Sequence, residues 1–187
     1  MDGKNFVSRA GEKLQFALHE FKIDVKDLTV ADFGSSTGGF VDCLLRNGAK
    51  KVYAIETGYG VFDWKLRNDP RVVLMERTNA MHVTLPEKMD FITVDTSWTK
   101  QKNILPNVIK NLKPGKNIIS LIKPHYEASP KYLRKGKLSE EFLPEVLENV
   151  KNDIKAVNCE ILKMVESPIL GEKGKNKEFL ALLACSQ

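Results

Sequence analysis

The sequence predicts an α/β protein, a three-layer sandwich in which helices cover both faces of a Rossmann-like, mostly parallel, seven-stranded sheet. Three observations support this prediction. Short apolar runs alternate with segments of helical periodicity between residues 28 and 122, which is the order of parallel strands joined by helices. A glycine loop within residues 30–39 leads from the first apolar run into a helix. Two apolar segments near the end of the chain, 160–166 and 178–185, lack a helix between them and predict a terminal antiparallel hairpin.

Each element follows from local apolar spacing and from the turn residues that bound it. The expected helices are 8–22 with Ser8 as the N-cap, 40–46, 62–67, 104–112 and 140–157. The expected strands before the terminal pair are 28–32, 52–55, 72–75, 91–94 and 118–122. The polar segment 124–139 is long for a connection in a compact domain, so we expect it to be functional or mobile.

The composition limits both the size and the surroundings of the protein. A chain of 187 residues that is 42% hydrophobic is sufficient for one domain, which we expect to span 1–187 with its first helix within 1–27. The net charge of +5 favours a polyanionic partner. The sequence shows no signal peptide and no apolar stretch of ~18 residues, so we expect a cytoplasmic protein that does not span a membrane.

The three cysteines give no sign of a metal site. Cys43, Cys159 and Cys185 each lie in an apolar run, and the sequence has no CxxC or His-Cys spacing. We therefore expect reduced, buried thiols and no bound metal.

The glycine loop is expected to bind a ligand, because glycines there allow close backbone approach at the carboxyl edge of the sheet. Ser36 breaks the dinucleotide-binding spacing of glycines, and the loop has no lysine for a phosphate-binding P-loop. The acidic Asp32, followed by Gly34 and then Gly38-Gly39, resembles the first motif of class I S-adenosylmethionine-dependent methyltransferases. A negative residue at the loop entrance suits a cationic sulfonium better than a pyrophosphate.

Four ionisable residues fall where strands or helices begin or end: Lys13, Asp95, Lys123 and Glu178. Asp95 and Lys123 end consecutive parallel strands, and Glu178 opens a strand that runs the other way, so we expect these side chains at one edge. Two lysines and two carboxylates are together roughly neutral, which lowers the free-energy cost of burying them jointly. Each residue alone also has an ordinary structural interpretation as a cap or a solvated surface charge.

Six stretches in this order carry a resemblance to a known family: VSRAGEKL at 7–14, VADFGSSTGGFVDCLL at 30–45, VYAIETGYG at 52–60, DPRVVLMERTNA at 69–80, FITVDTSW at 91–98 and LIKPHYEA at 121–128. The chain is similar over nearly its whole length to the FtsJ-like RNA 2′-O-methyltransferases, and most similar to the TlyA branch, often labelled haemolysin-like. The resemblance implies that the fold is a class I methyltransferase domain and that ribosomal RNA is methylated on a ribose hydroxyl.

The resemblance also implies a Lys-Asp-Lys-Glu catalytic tetrad, which falls on Lys13, Asp95, Lys123 and Glu178. Lys123 is the expected base, since a neighbouring ammonium and partial burial both lower the pKa of a lysine. Asp95 is expected to orient its amine, while Lys13 and Glu178 position the hydroxyl and balance charge.

The implied cofactor is S-adenosyl-L-methionine. The residues expected to bind it are Asp32, Gly34, Ser35, Ser36, Thr37, Gly38, Gly39, Phe40, Glu56, Asn79 and Asp95. Glu56 is expected to accept hydrogen bonds from the ribose hydroxyls and Asn79 to meet the adenine edge, although Asn79 also fits a turn. Phe40 fits the apolar core as well as the cofactor site.

Two departures from the family concern the choice of RNA. The TlyA branch usually carries an RNA-binding domain before this region, whereas only six residues precede Val7, so an RNA-targeting partner protein is expected. Trp98 stands where the family usually has phenylalanine and retains an aromatic surface for stacking a base. Lys131, Arg134 and Lys135 are expected to contact RNA.

Three other functions are compatible with parts of the pattern. A methyltransferase-fold assembly factor would bind cofactor and RNA but need a partner for catalysis. A small-molecule methyltransferase would have a more apolar site without two lysines. A membrane-damaging activity, which the haemolysin label implies, would need an amphipathic membrane segment that the sequence does not show.

Overall fold

The computed structural model describes residues 6–171 and 175–186. The helices are α1 (Ala10–Phe21), α2 (Gly39–Arg46), α3 (Trp64–Arg67), α4 (Gln101–Asn111), α5 (Pro124–Glu127) and α6 (Leu143–Ala156). The strands are β1 (Thr29–Phe33), β2 (Lys51–Ile55), β3 (Val72–Met75), β4 (Phe91–Val94), β5 (Asn117–Ile122), β6 (Leu133–Arg134), β7 (Lys137–Leu138), β8 (Cys159–Glu166) and β9 (Phe179–Cys185).

Seven of these strands form one sheet in the order β3-β2-β1-β4-β5-β9-β8. The strands β1 to β5 run parallel to one another, while β9 runs antiparallel to both β5 and β8. The predicted α/β class, the mostly parallel sheet and the terminal antiparallel hairpin are therefore confirmed. The strand order reverses between β1 and β4, and in open sheets ligands bind outside the carboxyl ends of the strands at such a reversal.

Two apolar layers hold the helices against the sheet. On one face, α1 and α2 pack on alternate strand residues such as Val30 and Val52. On the other face, α4 and α6 pack on the intervening residues such as Ala31 and Ile92. Because successive residues of a strand point to opposite faces, strands buried on both sides read as continuous apolar runs. These runs made the strands recognisable in the sequence.

The predicted bounds hold best where a short apolar run lies between clear turn signals. The third and fourth strands have the predicted bounds, Val72–Met75 and Phe91–Val94. The helix expected at 104–112 starts earlier, at Gln101, whose backbone N–H donates to Glu127 Oε1 at 2.9 Å. Ser8 was predicted as the N-cap of the first helix, but Arg9 occupies that position without a side-chain cap. This prediction was wrong.

The segment 124–139 is more ordered than the sequence indicated. It contains α5 and a small antiparallel hairpin in which Leu133 pairs with Leu138 and Arg134 with Lys137. Lys135 and Gly136 form its turn, with φ angles of 49° and 77°. The hairpin therefore presents its basic residues on a defined support.

The expectation of three reduced cysteines was wrong for two of them. Cys159 and Cys185 are partners in the register of β8 and β9, and they form a disulfide. Their separation of 26 residues concealed this pairing, which depends on the strand register. Cys43 is free and buried.

The described residues contain no group of three or more His, Cys, Asp and Glu side chains placed to hold a metal ion. No helix within 6–171 or 175–186 is long and apolar enough to cross a membrane. Residues 1–5, which open the predicted N-terminal segment 1–27, and residues 172–174, which fall within the predicted connection 171–177, lie outside the described residues.

Candidate active site

A cleft of about 490 Å³ opens at the carboxyl edge of the parallel strands. It is bounded by the start of α1, by the loops after β1 and β4, and by the ends where β5 stops and β9 begins. The predicted site residues that line it are Lys13, Asp32, Gly34, Ser35, Ser36, Thr37, Gly39, Phe40, Asp95, Lys123 and Glu178. The structure thus brings together all four members of the predicted tetrad and most of the glycine loop.

The four tetrad residues form two ion pairs. Lys13 Nζ lies 2.5 Å from Glu178 Oε2, and their side chains are 10% and 5% exposed. Lys123 Nζ lies 2.5 Å from Asp95 Oδ1, with side chains 13% and 18% exposed. Each lysine therefore enters a buried site with its own carboxylate, which offsets the cost of removing both charges from water.

The electrostatic environment of Lys123 differs from the expectation. Burial lowers the pKa of this lysine, but the carboxylates of Asp95 and Glu178 act in the opposite direction and more strongly, so the pKa is raised. The predicted lowering was wrong, because the sequence does not show how close the carboxylates lie. Lys123 is therefore an ammonium ion at neutral pH.

His125 is a residue of the cleft that sequence reasoning missed. It follows the Lys123-Pro124 pair, is only 9% exposed, and its ring centroid lies 4.1 Å from that of Tyr126. Burial and the nearby ammonium groups of Lys123 and Lys13 lower its pKa to about 4, so the imidazole is neutral at physiological pH. In the sequence, the only indication that His125 belongs to the cleft is its position in the KPHYEA stretch, directly after Lys123 and Pro124.

Asp32 has the most perturbed carboxyl group of the cleft. Thr93 Oγ1 donates to Asp32 Oδ1 at 2.7 Å, whereas Oδ2 is buried and has no hydrogen-bond partner among the described residues. Burial, with contributions from the Asp95 and Glu56 carboxylates, raises the pKa of Asp32 to about 7 despite the lowering effect of the Thr93 bond. This atom is one of the buried polar atoms of cleft residues without a hydrogen-bond partner in the described part of the chain, and His125 Nδ1 is another.

A pH dependence follows from the raised pKa of Asp32. The folded protein holds this proton more tightly than the unfolded chain, so between about pH 4 and about pH 7 the unfolded state binds fewer protons and stability falls as the pH rises. One such group contributes a slope of at most about 1.4 kcal/mol per pH unit. Urea unfolding of the wild type and of Asp32→Asn should show this slope in their difference. A pH-independent difference would contradict the assignment.

Gly34 and Gly39 bring segments of the protein close together. Gly34 has φ 93°, and a Cβ there would lie 2.6 Å from the Asp95 carbonyl oxygen, so side chains are excluded where the two loops of the cleft touch. A Cβ on Gly39 would lie 2.9 Å from Ala10 Cβ and 3.0 Å from the Gly11 nitrogen. The close approach at Gly39 is thus to α1, and since Gly39 also lines the cleft, its approach to the ligand stays a prediction.

Gly38, Glu56 and Asn79 do not line the cleft. A Cβ on Gly38 would meet the Phe62 ring at 3.0 Å. Asn79 is exposed and caps a turn, its side-chain oxygen accepting from the Met81 N–H at 2.9 Å. Their roles in binding the cofactor stay predictions.

Both carboxylate oxygens of Glu56 hold loop backbone. Oε2 accepts from the Ser36 N–H at 2.7 Å, and Oε1 accepts from the Gly58 N–H at 2.6 Å. Glu56 therefore ties the glycine loop to the turn after β2. Phe40 is 1% exposed and belongs to the core around α2, as its core interpretation anticipated, although it also borders the cleft.

Trp98 forms an exposed aromatic wall at the mouth of the cleft. Trp98 is 78% exposed, and its ring centroid lies 4.5 Å from that of Tyr126. Its backbone has a φ of 61°, in the left-handed region. The Tyr126 ring also lies 5.8 Å from Lys123 Nζ. A flat ring group could therefore stack here within reach of the ion pairs.

Comparison with known proteins gives consistent results. The family model described as FtsJ-like methyltransferase matches residues 6–184. The Bacillus subtilis (strain 168) protein YqxC, described as a candidate rRNA methyltransferase, is 42% identical over 186 residues, covering 94% of this chain and 64% of YqxC. A Streptococcus thermophilus structure described as a candidate hemolysin has a TM-score of 0.93 at 36% identity, covering 100% of this chain and 70% of that chain.

A further relative is named for its RNA substrate. The Mycobacterium tuberculosis (strain CDC 1551 / Oshkosh) protein named 16S/23S rRNA (cytidine-2′-O)-methyltransferase TlyA is 42% identical over 126 residues, which are 65% of this chain and 47% of TlyA. The chain therefore spans less than two thirds of the length of YqxC and about half that of TlyA.

Proposed function

The chain belongs to the FtsJ-like methyltransferase family, and from this premise we propose that it transfers a methyl group from S-adenosylmethionine to a ribose 2′-hydroxyl of ribosomal RNA. The observation that carries the proposal is the meeting of two buried lysine–carboxylate pairs in one cleft beside the glycine loop. The names of YqxC and TlyA support RNA as the substrate class.

The donor set of the cleft fits S-adenosylmethionine. Asp32 Oδ2 is a buried acceptor without a partner among the described residues, and a ligand with a cationic sulfonium and an ammonium group would satisfy it. Ser36 and Thr37 offer hydroxyl groups on the same wall. The cofactor supplies an electrophilic methyl group. The protein supplies the pocket that holds it and the groups that act on the hydroxyl.

The two ion pairs of the tetrad have different proposed roles, one in proton transfer and one in positioning the hydroxyl. A ribose hydroxyl is a weak nucleophile, so the oxygen gains the methyl group as its proton passes to a base, for which Lys123 Nζ is the candidate. Lys123 must first lose its own proton, and positive charge bound in the cleft favours that loss by opposing the effect of Asp95 and Glu178. Lys13 and Glu178 hold the hydroxyl in line with the methyl group.

The proposed methyl transfer is tested by identifying the nucleoside that carries the methyl group. Unmodified 16S and 23S rRNA transcripts are incubated with the protein and S-adenosylmethionine labelled in its methyl group, then digested to nucleosides. Label in a 2′-O-methylated nucleoside is expected. Label only on a base would contradict the ribose assignment. Absence of label with intact RNA binding would favour an assembly factor that needs a partner protein.

RNA affinity is expected to depend on the basic residues of the β6–β7 hairpin and its flank. Lys131, Arg134 and Lys135 are exposed, and no ion pair involves them within the described ranges. Replacing all three by glutamine should reduce the slope of log affinity against log salt by up to about 2–3, because each phosphate contact contributes about 0.7–0.9. Filter binding of the 16S transcript measures this slope. An unchanged slope would place the RNA surface elsewhere.

A further inference from the structure

A second cavity, of about 230 Å³, lies next to the candidate active cleft. It is enclosed by the β6–β7 hairpin, by the start of α6 and by the segment that leads into β9. His125 lines both cavities, so the cavities meet at this residue. Lys177 lines the second cavity and the next residue, Glu178, lines the first. The two cavities are therefore adjacent parts of one surface.

The lining of this cavity combines apolar walls with a cationic rim. Leu138, Leu143 and Leu170 provide the apolar surface. The charged residues that line it are Lys137, Lys175, Lys177 and Glu140. Within the described part of the chain, none of the three lysines has a carboxylate at ion-pair distance. The rim is thus net positive, while the interior favours an uncharged, apolar group.

Buried hydrogen bonds of Asn176 connect the backbone segments that form the walls of the cavity. Asn176 is 4% exposed, its Oδ1 accepts from the Leu138 N–H at 2.9 Å, and its Nδ2 donates to the Gly136 carbonyl at 3.1 Å. The Asn176 carbonyl accepts from the Gly171 N–H at 2.9 Å. These bonds fasten the hairpin to the segment before β9, so ligand binding does not need to order these walls.

We propose that this cavity binds a nucleotide that neighbours the methylated one in a single-stranded stretch of the substrate RNA. The base lies among the three leucines and the neutral His125 ring, and its phosphate lies against Lys137, Lys175 and Lys177. The inference rests on the proposed function, which places an RNA ribose in the adjacent cleft.

Three features favour a nucleotide over other occupants. A base has apolar faces and an anionic phosphate, which match the two kinds of lining. The cavity is smaller than the roughly 300–1,000 Å³ of sites that enclose a drug-sized ligand, as suits a single ring system. Continuity through His125 lets one strand reach both cavities. Phosphate contacts would fix the register of the strand, so this subsite would help to select the ribose that reaches Lys123.

The test uses variants that alter this cavity and matched controls that do not. Leu170→Trp fills the cavity from an exposed position, and Leu162→Trp, on β8 with similar exposure, is its control. A triple variant replaces Lys137, Lys175 and Lys177 by glutamine. The corresponding control replaces three exposed lysines distant in sequence from the cavity lining, Lys50, Lys110 and Lys155.

Methyl transfer to the unmodified rRNA transcripts is measured as kcat and KM. Both cavity variants should raise the KM for RNA about 10- to 100-fold, the effect of losing one stacked base. Their kcat and their affinity for S-adenosylhomocysteine, from calorimetry, should match the controls. A KM equal to that of the controls would overturn the subsite. A loss of S-adenosylhomocysteine affinity would instead assign the cavity to the cofactor, and also overturn it.

A second measurement does not depend on turnover. Transcripts that contain 4-thiouridine are cross-linked to the protein in the presence of S-adenosylhomocysteine, and the labelled peptides are mapped. Cross-links are expected in 137–143, at Leu170 or in 175–177, and they should be lost in Leu170→Trp. If the protein cross-links there but transfers no methyl group, the proposed activity fails and the RNA subsite stands. If it methylates RNA without such cross-links, the subsite is wrong and the activity stands.

Discussion

Replacing Lys123 by alanine is expected to lower methyl transfer to RNA by ~10²–10⁴-fold, the usual contribution of a positioned general base. The affinity for S-adenosylhomocysteine should be retained, because the glycine loop and Asp32 form a different wall of the cleft. The released Asp95 carboxylate is 18% exposed and can be partly hydrated, so the variant should still fold. Lys110→Ala, at an exposed position of α4, is the control.

Lys123→Arg distinguishes a role of Lys123 as the general base from a role as a positive charge that only positions the substrate. A guanidinium stays protonated and cannot accept the hydroxyl proton, so this variant should be nearly as inactive as Lys123→Ala. Because the carboxylates raise the pKa of Lys123, wild-type single-turnover rates should also rise with pH across the neutral range. An active arginine variant would show that Lys123 only positions the substrate. A pH-independent rate would contradict its role as the proton acceptor.

The convergence of the tetrad could be predicted because it depends on topology. Asp95 and Lys123 each follow a strand that appears in the sequence as an apolar run, and parallel strands end at the same edge. The antiparallel direction of β9 then brings Glu178 to that edge. Such reasoning needs only the direction of each strand, which the alternation of strands and helices indicates.

Properties that depend on distances between side chains could not be predicted in this way. The sign of the pKa shift of Lys123 depends on whether burial or the Asp95 and Glu178 carboxylates dominate. The disulfide between Cys159 and Cys185 depends on the register of two strands. His125 belongs to the cleft only because α5 begins at Pro124 and turns the chain back beside the sheet edge.

The buried pair of Lys13 and Glu178 is expected to have the largest effect on stability. Replacing Glu178 by leucine leaves the Lys13 ammonium, 10% exposed, without its partner at 2.5 Å. Removal of one partner of a buried ion pair costs about 3–5 kcal/mol, because the remaining charge keeps its desolvation penalty. Lys13→Met should cost a similar amount. Urea unfolding gives both values, and Glu148→Ala, which breaks the exposed pair with Lys151, should change stability little.

The double variant Lys13→Met/Glu178→Leu decides why the pair is present. With both charges replaced by apolar side chains of similar size, no unpaired charge remains, and the free energy of unfolding should return close to that of the wild type. Methyl transfer should nevertheless stay as low as in the single variants, because the two groups would no longer hold the ribose hydroxyl. A double variant that recovers stability without activity assigns the pair to function. Recovery of both would show that the pair serves only the fold and would remove Lys13 and Glu178 from the reaction.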